Sequence, residues 1–243
     1  MKWTGLHAKN LRWSAPITNE AAKRALADHL ARFVKDGDTV GVGSGSTAFL
    51  AIQAIGRRVA VEGIRLTAIP TSTEAALTCA MVGIPTSSLL GSRPDWGFDG
   101  ADEVDPAHNM IKGRGGALLA EKILMRVSPV THIIVDESKL VDRLGLRFPV
   151  PVEICPLALH LVQEALLSLG AATADLRLGL RKDGPVITEH GNFLLDATFA
   201  HIDDGLEREI KGITGVVESG LFQGYSVRLI TPQATAAPSV GER

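Results

Sequence analysis

The sequence predicts an α/β protein, a parallel sheet covered by helices, joined to a second, smaller α+β domain. Three observations carry this. Short apolar runs alternate with helix-period segments as far as residue 135, the pattern of strands that cross over to parallel neighbours. Two of those strands run directly into glycine- or hydroxyl-rich turns that open a helix. After Gly145 the alternation stops, and Arg147-Phe148-Pro149-Val150-Pro151-Val152 brings two prolines that a helix interior excludes.

Taken in order, Thr18 is a candidate N-cap, and Ala22, Leu26, Leu30, Phe33 and Val34 follow a 3.6-residue period over residues 19–35, up to Gly37. Residues 39–42 read as a buried strand, 43–47 as a turn, and a helix is expected from about Ala48. The pattern repeats with a strand over 66–69, the turn Pro70-Thr71-Ser72-Thr73-Glu74 and a helix over 75–81. A strand at 96–98, a helix at 118–125 and a buried strand at 131–135 follow. Beyond the prolines come a helix over 157–169 and extended runs at 174–178, 186–188 and 193–197; 215–218 and 226–230 read as strands that return to the first sheet. The expected domains are 1–146 with 208–243, and 147–207. Residues 1–16, with Trp3, Leu6, Leu11 and Trp13, read as a loosely packed arm, and Thr231 onward as a frayed tail.

With 243 residues, 45% hydrophobic and 21% charged, the chain has the composition of a globular protein able to bury its own core. A net charge of -2 argues against a nucleic-acid partner. No apolar run reaches the length of a membrane span or a secretory leader. Cys79 and Cys155 stand far apart without a C-x-x-C pair, which argues against a disulfide framework or zinc site and for a reducing cytoplasm.

Ligands of open α/β sheets collect beyond the carboxyl ends of the strands, and several polar loops fall there. Gly43-Ser44-Gly45-Ser46-Thr47 offers hydroxyls, backbone N–H groups and a helix N-terminus suited to a phosphate, although it matches neither a Walker A motif nor the dinucleotide fingerprint, and such a turn is often only a tight connection. Thr71-Ser72-Thr73-Glu74 is what helix capping alone asks for. Asp99-Gly100-Ala101-Asp102-Glu103 crowds three carboxylates that need a cation, a proton or a polar ligand; a divalent metal and sugar hydroxyls both fit. Lys112-Gly113-Arg114-Gly115-Gly116 carries two cations on a glycine turn, and Glu121, nine residues after Lys112, falls early enough in the next helix to face back as a base. Asp136-Glu137-Ser138-Lys139 adds another cation after the 131–135 strand. The seven histidines show no ligand spacing, and no Gly-x-Ser-x-Gly elbow occurs.

These loops in this order, together with Phe148-Pro-Val-Pro-Val-Glu153, Gly191-Asn192 with Asp196, and Gly215-Val-Val-Glu-Ser-Gly-Leu-Phe222, resemble the type A ribose-5-phosphate isomerase family from about Asn19 to Phe222. The resemblance implies a Rossmann-like domain with a smaller α+β domain, a cytoplasmic homodimer or homotetramer, and cofactor-free, metal-independent interconversion of ribose 5-phosphate and ribulose 5-phosphate through an enediol in the pentose phosphate pathway. The family's base falls on Glu121, with Asp99, Asp102 and Lys112 as further catalytic positions. Substrate contacts fall on Ser44, Gly45, Ser46 and Thr47, with Lys23 assisting at the phosphate; on Asp99, Gly100, Ala101 and Asp102; on Lys112, Gly113, Arg114 and Gly115; and on Lys139. Two departures are Ser44, where Thr is common, and Arg114, where some members have Gly. The rivals are a non-catalytic sugar-phosphate sensor, for whose helix-turn-helix too few residues precede the first helix, and coenzyme A transfer on a glutamate nucleophile, which would leave the Asp and Lys loops unexplained.

Overall fold

The computed structural model describes residue 13 and residues 15–180 and 182–232. The expected tail from 233 on, and the arm apart from Trp13, Ala15 and Pro16, lie outside the described residues. In chain order the elements are α1 (Glu20–Ala31), β1 (Thr39–Val42), α2 (Gly45–Glu62), β2 (Thr67–Pro70), α3 (Thr73–Met81) and β3 (Trp96–Asp99). They continue with β4 (Glu103–Val104), β5 (Met110–Ile111), α4 (Leu118–Val127), β6 (Thr131–Ile134), β7 (Val150–Ile154) and α5 (Leu159–Ser168). Last come β8 (Ala171–Leu176), β9 (Phe193–Phe199), α6 (Leu206–Lys211), β10 (Val216–Ser219), β11 (Leu221–Phe222) and β12 (Val227–Ile230).

Two compact units emerge, Met1–Gly100 with Leu124–Ser138 and Ser226–Arg243, and Ala101–Ile123 with Lys139–Tyr225. The first holds a five-stranded sheet, parallel throughout, in the order β12-β6-β3-β1-β2. Its core contains Leu26 and Leu30 of α1, Leu50, Ile52 and Ile55 of α2, and Phe98 of β3, all but excluded from solvent. Gly41 in β1 lets Leu124 lie against the strand, since a Cβ there would come 2.8 Å from its Cδ1. The second unit holds an antiparallel sheet, β10-β7-β9-β8, and a small ribbon, β11-β5-β4. Val150, Val152 and Ile154 of β7, Val162 and Leu166 of α5 and Leu195 of β9 form its core.

The α/β class with a smaller α+β part is as expected, and β12 does return to the first sheet. Several details differ. The first helix is capped by Asn19 rather than Thr18, in a left-handed conformation (φ 54°). The second begins at Gly45, three residues early, so Ser46 and Thr47 belong to its first turn. Residues 186–188 form only an isolated bridge through Ile187 to Phe193. Residues 216–219 pair antiparallel with β7 instead of joining the parallel sheet. Residues 101–123, 139–146 and 208–225, expected with the first domain, sit in the second unit. There β4 and β5 pair with each other and β5 with β11, two-residue strands that leave no periodic trace in the sequence.

Candidate active site

The candidate residues form two groups, one in each unit. In the first, Ser44 is the extended N-cap of α2 and Gly45 adopts φ +89°, a conformation that favours glycine. The Ser44 side chain does not cap the helix and no acidic residue occupies its first turn. Ser44 Oγ instead lies 2.7 Å from Thr71 Oγ1, and because Thr71 donates to the Val42 carbonyl at 3.2 Å, Ser44 is left as donor to Thr71. Ser72 caps α3 by accepting from the Ala75 N–H, the capping role that the Thr71–Glu74 loop suggested.

Asp99, at the end of β3, is 4% exposed and accepts from the N–H groups of Ser44 (3.2 Å) and Gly100 (2.8 Å). Gly43 makes this approach possible, because a Cβ there would come 2.1 Å from Asp99 Oδ1. Lys23 reaches Ser46 Oγ at 3.3 Å and Asp136 at 3.9 Å. Burial works against ionisation of Asp136, but hydrogen bonds from the Ser138 and Asn19 side chains and the Ser138 N–H, with the Lys23 charge, outweigh it and hold the carboxyl below the usual range. A buried cation with its own counter-ion therefore stands beside the hydroxyl turn.

In the second unit, Lys112 follows β5 and its N–H donates to the Gly220 carbonyl at 2.9 Å. Gly113 takes φ +100° beneath Leu118, whose Cβ would lie 2.8 Å from any Cβ at that position. This turn sends the chain into α4, where Glu121 occupies the first turn. Glu121 Oε2 stands 3.3 Å from Lys112 Nζ, with the two side chains 6% and 3% exposed. The nine-residue spacing thus becomes a buried ion pair. Asp102 accepts from the Arg114 N–H at 3.1 Å, which ties it to the same glycine loop. Lys139 is half-buried, its ammonium 4.8 Å from the Phe148 ring centroid, and the guanidinium of exposed Arg114 lies 5.8 Å from that ring. Gly115 is exposed.

Glu103, the third carboxylate of the acidic run, is fully buried and accepts from the backbone N–H groups of Gly145 (2.7 Å), Arg147 and Phe148 (2.9 Å). It braces the chain rather than facing a ligand. Among the described residues no three His, Cys, Asp or Glu side chains gather in a metal-binding group. Cys79 is buried, and burial, with the Glu74 charge adding, pushes its thiol up to about 12, which does not suit a nucleophile.

Arg177 was not legible as part of this region. It pairs with both carboxylate oxygens of Asp196 and donates to the carbonyls of Gly113 (3.0 Å) and Arg114 (2.9 Å), so it clamps the glycine loop from the residue just past β8. Asp196, with Gly191 and Asn192, is among the positions that carry the resemblance; its arginine partner, 19 residues away, carries no local signal.

A sequence profile of ribose 5-phosphate isomerase A (phosphoriboisomerase A) matches residues 67–235, a span that includes Asp99, Asp102, Lys112, Glu121 and Lys139. The chain belongs to this family. It is 46% identical to ribose-5-phosphate isomerase A of Methanothermobacter thermautotrophicus over 199 residues, covering 81% of this chain and 87% of that protein. Ribose 5-phosphate isomerase A of Methanocaldococcus jannaschii, a solved structure, superposes with a TM-score of 0.85 at 41% identity, covering 88% of this chain and 96% of the other. A D-ribose-5-phosphate isomerase solved in complex with phospho-erythronic acid matches equally well, with a TM-score of 0.85 and 41% identity over 88% of this chain and 94% of that one.

Proposed function

We propose that the chain interconverts D-ribose 5-phosphate and D-ribulose 5-phosphate through an enediol intermediate, without cofactor or metal, in the non-oxidative branch of the pentose phosphate pathway. The buried pair of Glu121 and Lys112, 3.3 Å apart, carries this reading. In the open-chain aldose Glu121 removes the C2 proton; the C–H electron pair becomes the C1–C2 double bond and the carbonyl π pair moves to O1. Lys112 stabilises the negative charge on the oxygens, the task for which a pre-placed cation in a water-poor site is suited. With the proton of the C2 hydroxyl passed to O1, the electron pair of the double bond takes the proton back from Glu121 at C1, leaving the C2 carbonyl of the ketose.

The remaining roles follow the same chemistry. Ser44, Ser46, Thr47 and the α2 N-terminus, with Lys23, bind the phosphate; the relative solved in complex with phospho-erythronic acid, an acid bearing a phosphate, supports a sugar-phosphate ligand. Asp99 and Asp102 hold sugar hydroxyls and assist ring opening and proton transfer between oxygens. Gly113, Arg114 and Gly115 shape the loop around Lys112, and Lys139 contacts substrate. A cytoplasmic homodimer or homotetramer completes the proposal: Cys79 and Cys155 are free thiols, and Leu157, on the turn before α5, and Leu161, in its first turn, are 98% and 54% exposed, apolar surface for a second copy to cover.

The decisive experiment follows conversion of ribose 5-phosphate by the purified protein in EDTA, with Glu121→Gln alongside. Loss of roughly two to four orders of magnitude in kcat with KM little changed supports the base. Unchanged turnover in Glu121→Gln removes it, and saturable sugar-phosphate binding without conversion by the wild type favours a sensor. Activity that vanishes in EDTA and returns with Mg²⁺ would make the aspartates metal ligands.

A further inference from the structure

Lys122 directly follows the proposed base along α4, yet the isomerisation chemistry assigns it no task. It is buried, and its ammonium donates to the Leu221 carbonyl at 2.7 Å and pairs with Glu207 at 2.7 Å and Glu218 at 3.1 Å. The Phe222 ring centroid lies 4.6 Å from Lys122 Nζ and 5.5 Å from Lys112 Nζ. Leu221 shows why a donor is needed there. β11 is an edge strand of the ribbon β11-β5-β4, with Leu221 opposite Ile111 and Phe222 opposite Met110. Gly220 turns its carbonyl to the β5 side, where it accepts from the Lys112 N–H at 2.9 Å. Successive carbonyls of a strand point to opposite edges, so that of Leu221 faces away from β5, on the side where the ribbon ends. Leu221 is excluded from solvent, and a buried carbonyl needs a donor. The Lys122 ammonium stands where the next strand would, and Ser219 Oγ serves the Leu221 N–H in the same way at 3.1 Å.

Two adjacent residues of one strand therefore mount both halves of the proposed catalytic pair. The Gly220 carbonyl fixes the Lys112 backbone, and the Leu221 carbonyl fixes α4 through the residue after Glu121. The first mount is close, since a Cβ at 220 would sit 2.4 Å from the Lys112 carbonyl oxygen. Two glutamates hold the ammonium in place and are themselves held. Glu207 accepts from the Gln223 N–H at 2.7 Å, and Glu218 from the Ser219 N–H at 2.8 Å and the Lys211 ammonium at 3.0 Å. Burial disfavours ionised Glu218, but the Lys122 charge, the Ser219 N–H and the hydrogen bonds from Lys211 and Lys122 keep it below the usual carboxylate range. Two cations thus face two carboxylates, and the charges of the cluster balance.

We propose that Lys122 is a positioning residue for the isomerisation: by bolting α4 to the strand that carries the Lys112 turn, it sets where the Glu121 carboxylate stands relative to the Lys112 ammonium. The proposal rests on Glu121 as base and Lys112 as its cation. Contacts made by those two side chains themselves act on top of this, because Lys122 fixes the two stretches of backbone from which they reach.

The test removes the bolt without leaving an unbalanced charge. Lys122→Met combined with Glu207→Gln, in the full chain, takes out one cation and one anion and leaves Lys211 paired with Glu218. Because a misplacement of about 1 Å costs about a hundredfold, kcat per folded molecule is expected to fall at least about thirtyfold, with KM for ribose 5-phosphate within about threefold. The acid limb of kcat/KM against pH, which reports ionisation of the base, should move up by about half a unit or more as Glu121 leaves its cation. Lys211→Met is the control: it disturbs the same cluster through Glu218 and the Val217 carbonyl but leaves the Lys122 bond to Leu221, so full kcat is expected. Wild-type kcat or an unmoved limb in the double variant overturns the proposal, and so does a loss of kcat that Lys211→Met reproduces in proportion to lost thermal stability. Glu121→Gln with native Lys122 separates the two ideas: full turnover there refutes the base assignment whatever the Lys122 variants show.

Discussion

A double-mutant cycle on Lys112 and Glu121 tests the centre of the proposed chemistry through stability and rate at once. At 3.3 Å their charges attract by about 5 kcal/mol at an effective dielectric constant of 20, part of which offsets the desolvation of both groups. Lys112→Met leaves a carboxylate 6% exposed without its cation, and breaking a buried pair in this way costs about 3–5 kcal/mol. Glu121→Gln is milder, about 1–3 kcal/mol, because the amide oxygen still accepts from the ammonium. The double variant removes both charges and should be more stable than the sum of the singles predicts, by about 2–4 kcal/mol. Urea unfolding of the four proteins at neutral pH gives this coupling directly. In kcat the two residues act as a unit, so each single variant loses at least about a hundredfold and the double falls no lower than the worse single. Stabilities additive within about 0.5 kcal/mol would refute the ion pair, and multiplicative losses in kcat would refute its joint action.

Three further expectations use other parts of the molecule. His132 packs against Phe33 and Trp96, its Nδ1 makes no hydrogen bond to any described residue, and burial, then the charges of Arg228 and His29, push its pKa down to about 4. Because the folded value lies below the unfolded one, stability is fully present above about pH 6.5 and falls by up to about 3 kcal/mol as pH drops to about 4; urea titrations at pH 7.5 and 5, above the range where Asp136 and Glu218 titrate, should show the loss in wild type and a much smaller one in His132→Phe, and equal slopes would count against it. Gly43→Ala sets a methyl group against both the carboxylate and the Cα of Asp99, 2.7 Å away, so the strands must shift: a cost of about 1–3 kcal/mol and a sharp loss of activity are expected, and a wild-type melting curve with full turnover would contradict the close approach. Arg177→Met frees the Gly113 and Arg114 carbonyls and should reduce kcat at least about tenfold with the fold intact by circular dichroism, since misplacing a loop costs more in rate than in stability; unaltered kinetics would show that the loop holds itself.

What could be read along the chain was whatever depends on near neighbours. The four-residue strands at 39–42 and 131–134 and the helix at 118–127 are long enough for periodicity to mark them, and the Ser72 cap obeys a rule three residues wide. The hydroxyl turn, the aspartates and the Lys-to-Glu spacing each have a structural reading when taken singly, and stand out through their order and spacing along the chain. The tertiary structure decided the rest. Glu103 looked like its neighbour Asp102, but three backbone N–H groups from 145–148 consume its oxygens, and only the fold brings that backbone there. The two-residue strands that seat Lys112 form no local pattern; they exist because β5 finds partners at 103–104 and 221–222. Arg177 and Phe222 lie 65 and 110 residues along from Lys112, and each reaches the Lys112 turn only because strand pairing closes those long loops. A hydrogen bond or ring contact of a few ångströms is blind to sequence distance, whereas propensity and periodicity act only through it.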